Sequence, residues 1–217
     1  MDGSTVEMDS RSRVRIEFTD AERTVELLDG QALFRVAKNP SRPFIVVSGD
    51  TRVRAVGTQF DVYKKRDGTT VTVIEGRVAV LTPSKTAQIP PEVGTARTPE
   101  SANAGIPTPA VFLSSGEQVT ISARTAAQPR RTNLAVATAW TQGQLVLESA
   151  TLSEAAEEFN RYSARRLIVQ DTGAHPLRLS GVFATDPDFL IRYLKARADI
   201  TVHETDREIQ IRRVDTP

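Results

Sequence analysis

Val53-Arg-Ala-Val-Gly-Thr-Gln-Phe-Asp-Val-Tyr63, followed shortly by Val71-Thr-Val-Ile-Glu-Gly-Arg-Val-Ala-Val-Leu81, alternates apolar and polar residues in both halves. Successive side chains on an extended strand point to opposite faces, so this period of two marks half-buried β-strands. Each half carries a glycine, Gly57 or Gly76, where a strand would bend or turn. Working outward, residues 5–81 repeat the same text. Candidate strands are Thr5–Met8, Arg13–Phe18, Arg23–Leu28, Ala32–Val36, Phe44–Val47, Arg52–Val56, Phe60–Tyr63, Thr70–Ile74 and Arg77–Leu81. Asp29-Gly30, Asn39-Pro40, Gly49-Asp50, Asp67-Gly68 and Glu75-Gly76 separate them as turns. Loosely similar stretches centre on Gly30, Gly49, Gly76 and Gly116, too irregular in spacing for a solenoid. The expectation is an all-β domain over residues 2–122, built of stacked hairpins as a roll or sandwich.

Residues 82–110 are dominated by Thr, Pro, Ala and Ser, and read as a flexible insertion in a hairpin. The strands resume at Val111–Leu113 and Gln118–Ile121, and residues 123–137 read as a linker. From Trp140 the period changes. Gln144–Leu147 is a strand, and Thr151-Leu-Ser-Glu154 is a capping box. The helix it opens carries Leu152, Ala155, Ala156, Phe159 and Tyr162 on one face. Strands Arg166–Val169 and Leu177–Phe183 follow. Asp186-Pro187 then starts a helix with Leu190, Leu194 and Ala198 on one side and Phe189 and Tyr193 beside them. Ile200–His203 and Glu208–Ile211 close as a hairpin across Asp206. Residues 138–217 are thus expected to form a small α+β domain of β-α-β-β-α-β order.

Composition excludes several function classes. Among 217 residues, 28 Lys and Arg balance 27 Asp and Glu, and neither half carries the one-signed field of a nucleic-acid binder. There is no cysteine, hence no disulfide, Cys-ligated zinc or thiol nucleophile. No apolar run approaches the ~18–20 residues that span a bilayer.

The words V-R-A-V-G-T-Q-F-D-V and V-T-V-I-E-G-R-V-A-V resemble the periplasmic region of FecR-type anti-sigma regulators. The second half resembles the short domain at the N-termini of secretins and TonB-dependent transducers, with which FecR-type proteins end. Its matching words are W-x-x-G-x-L-V-L (Trp140, Gly143, Leu145, Leu147), Leu152 to Ser163, and L-S-G-V-F from Leu179 to Phe183. The resemblance implies a periplasmic relay in a single-pass inner-membrane protein. A loaded outer-membrane transducer would offer its N-terminal signalling domain to the C-terminal domain here. The change would then pass to an extracytoplasmic-function sigma factor, held by a cytoplasmic segment that, with one membrane helix, would precede residue 1. Asp2-Gly3-Ser4 reads as a hairpin turn whose first strand is missing, in keeping with that.

Catalytic chemistry is thinly provided. His175 in a turn and His203 on a late strand lack partners at ligand spacing, and no metal or cofactor is expected. Glu154, Glu157 and Glu158 fall on the polar face of the first helix. Gly57-Thr58 has two readings on its residue chemistry. One is a bulge glycine before a good strand residue. The other is an N→O acyl shift, in which Thr58 Oγ attacks the Gly57 carbonyl and leaves an ester that water hydrolyses. The resemblance keeps the second open, since a subset of the family self-cleaves at a Gly-Thr in this word while others do not; conventional enzyme activity is not expected. For partner binding, Leu145, Val146 and Leu147 form a candidate edge strand for β-augmentation, or a central strand with Trp140 as a core plug. Arg161, Arg165 and Arg166 read as charges favourable to the first helix's C-terminus. A different class of function, a ring-forming component of an envelope or secretion complex, also fits the C-terminal unit.

Overall fold

The computed structural model describes residues 2–81, 110–122, 128–170 and 176–213. The chain divides into two compact units: Met1–Met8 with Ser12–Asn133, and Asp9–Arg11 with Leu134–Pro217.

The first unit is all β. It contains β1 (Thr5–Met8), β2 (Arg13–Phe18), β3 (Arg23–Arg35), β4 (Phe44–Ser48), β5 (Thr51–Ala55), β6 (Gln59–Lys65), β7 (Gly68–Glu75), β8 (Arg77–Leu81), β9 (Ala110–Ser114), β10 (Glu117–Ile121) and β11 (Arg130–Arg131). They form one curled sheet in the order β11-β10-β7-β6-β3-β4-β5-β8-β9, with β1 and β2 also pairing with β3. One half centres on β4, β5, β8 and β9, the other on β6, β7 and β10, and β3 belongs to both. Its residues 23–26 lie parallel to β4, and residues 30–35 run antiparallel to β6.

Alternation selects what is buried. Val53, Ala55, Val78 and Val80 from one half meet Phe60, Val62, Val71 and Val73 from the other in a single core. Phe34 and Phe60 stack there with ring centroids 5.3 Å apart. Each such valine or phenylalanine removed from water contributes about 1.5–3 kcal/mol, so the period of two in the opening stretch is the main determinant of this fold.

The structure corrects three of the expected turns. β3 runs unbroken through Asp29-Gly30, where Gly30 (φ +81°) bends the strand from one half into the other. Glu75-Gly76 closes no hairpin either: β7 pairs with β6 and β10, whereas β8 pairs with β5 and β9. Gly76 carries the chain across the sandwich, and Gly57 does the same between β5 and β6. The Asp67-Gly68 turn shifts by one residue, because Lys65 pairs directly with Gly68 across Arg66-Asp67. Gly49-Asp50 is a two-residue hairpin turn between the paired Ser48 and Thr51, as expected. Of the insertion, only Ala110 is among the described residues, and it begins β9. Arg130 and Arg131, expected in the linker, pair with Gln118 and Glu117.

The second unit contains α1 (Leu134–Ala137), a 3₁₀ turn (Ala139–Gln142), β12 (Gln144–Thr151), α2 (Leu152–Phe159), β13 (Arg166–Gln170), β14 (Arg178–Ala184), α3 (Asp188–Lys195), β15 (Ile200–Glu204) and β16 (Glu208–Arg213). From β12 onward this is the expected β-α-β-β-α-β order with one further strand. The strands make two sheets, β12-β14 and β13-β16-β15, with β13 parallel to β16. The capping box is formed in full, Thr151 Oγ1 accepting from Glu154 N while Glu154 accepts from Thr151 N. Leu152, Ala155, Ala156 and Phe159 pack with Leu190, Ile191 and Leu194 into one core. Ala198 does not join them: α3 ends at Lys195, and the residue is exposed. Ile191, adjacent to Leu190, supplies that contact instead.

Candidate functional site

The Gly57-Thr58 peptide lies where β5 ends and β6 begins. Gly57 has φ +69°, and a Cβ added there would stand 2.8 Å from Lys38 Cβ and 3.1 Å from Lys38 Cα. Conformation and space both require glycine. Thr58 is 6% exposed. Its carbonyl accepts a 2.9 Å hydrogen bond from Val36 N, extending the β3–β6 ladder by one rung. Its Oγ1 is buried and has no hydrogen-bond partner among the described residues. An unsatisfied buried hydroxyl costs about 1–3 kcal/mol. A strand threonine serving only as a β-former would point that hydroxyl at water or a carbonyl. Gly76 closes the other side: a Cβ there would lie 2.8 Å from Thr58 Cγ2 and 3.5 Å from the Gly57 carbonyl oxygen. Spacing in the sequence had marked Gly76 only as a turn and had not marked Lys38.

The C-terminal candidates separate. Leu145 and Leu147, 7% and 5% exposed, face the core. Val146 points the other way and pairs in register with Val182, which is 64% exposed. Among the described residues β12 pairs only with β14, so it is a sheet edge. Its ladder breaks between Leu147 and Ala150, where Ser149 has φ +54° and its N–H donates to Ser180 Oγ. Trp140 sits on the 3₁₀ turn and is half-buried, its Nε1 having no partner among the described residues.

Of the arginines after α2, Arg161 and Arg165 form ion pairs within the second unit, while Arg166 is exposed. Arg161 pairs with Glu158 at 3.5 Å and with Asp9 at 2.7 Å. Arg165 pairs with Glu204 at 2.6 Å and Asp188 at 3.5 Å. Tyr162 donates to Asp9 Oδ2 at 2.6 Å, and burial with the adjacent carboxylate holds its phenol well above its ordinary range. Glu154 is the capping-box residue, Glu157 is exposed, and His203 is an exposed strand residue. His175 lies outside the described residues.

The family model described as FecR protein matches residues 1–79, a span that takes in both glycine crossings at 57 and 76. The likeness to the FecR family lies within residues 1–79. Two crystal structures of a candidate anti-sigma factor from Parabacteroides distasonis, at 1.65 and 2.50 Å resolution, share the fold of this chain with TM-scores of 0.77 and 0.76. Each is 19% identical in sequence, with 99% of this chain and 92% of the other covered. No curated protein sequence matches.

Proposed function

We propose that this chain is the periplasmic signal-relay region of a transmembrane anti-sigma regulator. Its second unit binds the N-terminal signalling domain of a TonB-dependent outer-membrane transducer, of the kind serving iron or siderophore uptake. That binding controls an extracytoplasmic-function sigma factor engaged elsewhere in the same regulator. The observation that carries the reading is the FecR match over residues 1–79 joined, in one chain, to a β-α-β-β-α-β unit with an open edge at β12. An open edge offers unpaired backbone groups that an incoming strand can complete. The Val146 and Val182 side chains beside it supply apolar contact. A stable ring on size-exclusion chromatography with light scattering would favour the competing role in an envelope assembly; the relay reading expects a monomer.

We further propose that the chain cleaves itself once at Gly57-Thr58. The positive φ of Gly57 and the buried, unpartnered Thr58 Oγ1 support this. Attack of Oγ1 on the Gly57 carbonyl carbon forms a C–O bond and breaks the C–N bond, and the hydroxyl proton ends on the freed Thr58 amine. Water then splits the ester into a Gly57 carboxylate and the restored hydroxyl. Purified protein should run as two fragments on a denaturing gel, and Thr58→Ala as one intact band. An intact wild-type band after prolonged incubation refutes cleavage.

A further inference from the structure

We infer that Gly76 is a positioning residue for the Gly57-Thr58 bond: it seats the Thr58 methyl and thereby aims the Thr58 hydroxyl. This rests on the self-cleavage reading. Threonine carries Cγ2 and Oγ1 on one stiff carbon, so fixing the direction of one branch fixes the other. A Cβ on Gly76 (φ +86°) would lie 2.8 Å from Thr58 Cγ2 and 3.5 Å from the Gly57 carbonyl oxygen, so this glycine borders both residues of the peptide to be cleaved. Two other segments hold the remaining sides. Lys38 presses on Gly57, with its Cβ and Cγ at 2.8 and 3.0 Å from where a side chain would start. Val36 N holds the Thr58 carbonyl at 2.9 Å. With the main chain pinned on both sides, the side-chain torsion of Thr58 is the remaining freedom, and Gly76 removes it.

A Cβ at position 76 would stand 2.8 Å from the methyl, against 3.4 Å or more for an ordinary contact. Thr58 must therefore rotate or shift by about 0.6 Å, and a misplacement of about 1 Å in an intramolecular attack costs on the order of a hundredfold in rate. Serine at 58 keeps the nucleophile and lacks the methyl. It gains three staggered wells in place of one, so its rate should fall about threefold. It should also be indifferent to a Cβ at 76.

The test is a two-by-two series in the full chain: wild type, Gly76→Ala, Thr58→Ser and the double variant. Cleavage half-lives are followed on denaturing gels, with fragment masses confirming the Gly57-Thr58 junction. The inference predicts a large slowing for Gly76→Ala in the threonine background and none in the serine background. Equal slowing in both backgrounds overturns it while leaving self-cleavage standing, and so does a Gly76→Ala protein that cleaves at the wild-type rate. Gly76→Asn is the second variant, because asparagine tolerates positive φ yet carries a Cβ. The Thr58→Ser protein, which needs no room at 76, overturns the inference alone if it cleaves as fast as wild type. A wild-type chain that never cleaves refutes the self-cleavage reading, and the positioning role falls with it.

Discussion

Replacing Asp2 by Asn should destabilise the first unit at neutral pH and leave it unchanged in strong acid. The cause is Arg23. Its side chain is 0% exposed. Nε donates to the Arg42 carbonyl at 2.9 Å, Nη1 donates to Ser4 Oγ and the Ala37 carbonyl at 3.2 Å each, and the guanidinium lies 5.4 Å from the Phe44 ring centre. The one carboxylate paired with it among the described residues is Asp2, which also accepts from Ser4 N and Oγ. Asp2-Gly3-Ser4, expected as a hairpin turn, is thus the counter-ion and cap of a buried cation. Breaking a buried ion pair by removing one partner costs about 3–5 kcal/mol. Here three neutral acceptors remain and the Asp2 side chain is 17% exposed, which lowers the expectation to about 2 kcal/mol. The titration of Asp2 gives a similar size. Burial raises its pKa, but the bonds from Arg23 and Ser4 outweigh that and hold it at about 2, against 3.8. Such a shift corresponds to about 2.5 kcal/mol before solvent screening and about 1–2 kcal/mol after it. Because the folded pKa lies below the unfolded one, the stabilisation is complete above about pH 5 and is lost as pH falls toward 2. Urea unfolding by far-UV circular dichroism at a series of pH values reads this directly. Wild type should exceed Asp2→Asn by about 2 kcal/mol at pH 7, with the two curves converging near pH 2. Equal stability at pH 7, or a constant gap down to pH 2, would refute the reasoning.

Gly30→Ala should cost about 2–4 kcal/mol, because a Cβ there would lie 2.3 Å from Ser12 Oγ and 2.7 Å from its Cα at a φ of +81°; urea unfolding would show it as a lower midpoint with an unchanged slope. Thr151→Ala removes the capping box of α2 and should cost about 1 kcal/mol, with Thr151→Asn restoring most of it in thermal melts. Val146→Asp places a charge on the outer face of the β12 edge and should leave the melting temperature near wild type while weakening transducer-domain binding.

Much of this fold could be read from side-chain alternation. Val53, Ala55, Phe60, Val62, Val71, Val73, Val78 and Val80 are all buried, and the sequence marks them by period alone. What alternation did not reveal is how strands are joined. A positive-φ glycine between two alternating runs serves equally as a hairpin turn, at Gly49, or as a crossing between halves of a sandwich, at Gly30 and Gly76. The difference lies in which strands the flanking residues pair with, a long-range choice with no local signature. Arg23 was hidden for a related reason. Read locally it is a polar residue at a strand's start, and the counter-charge that its burial requires comes from Asp2, 21 positions away. At the candidate site, Gly57 and Thr58 were legible as a pair with chemical meaning, whereas Lys38 and Gly76 reach them only through the fold. In the Leu145–Leu147 run, period two separates Leu145 and Leu147 from Val146, whereas the pairing of Val146 with Val182 depends on the β12–β14 register.

Titration of the full chain with the purified N-terminal domain of the TonB-dependent transducer that the proposed relay requires, followed by isothermal calorimetry, tests the relay most directly. The account predicts saturable one-to-one binding in the micromolar range, weakened by Val146→Asp. No heat of binding at high micromolar concentrations of both proteins would contradict it.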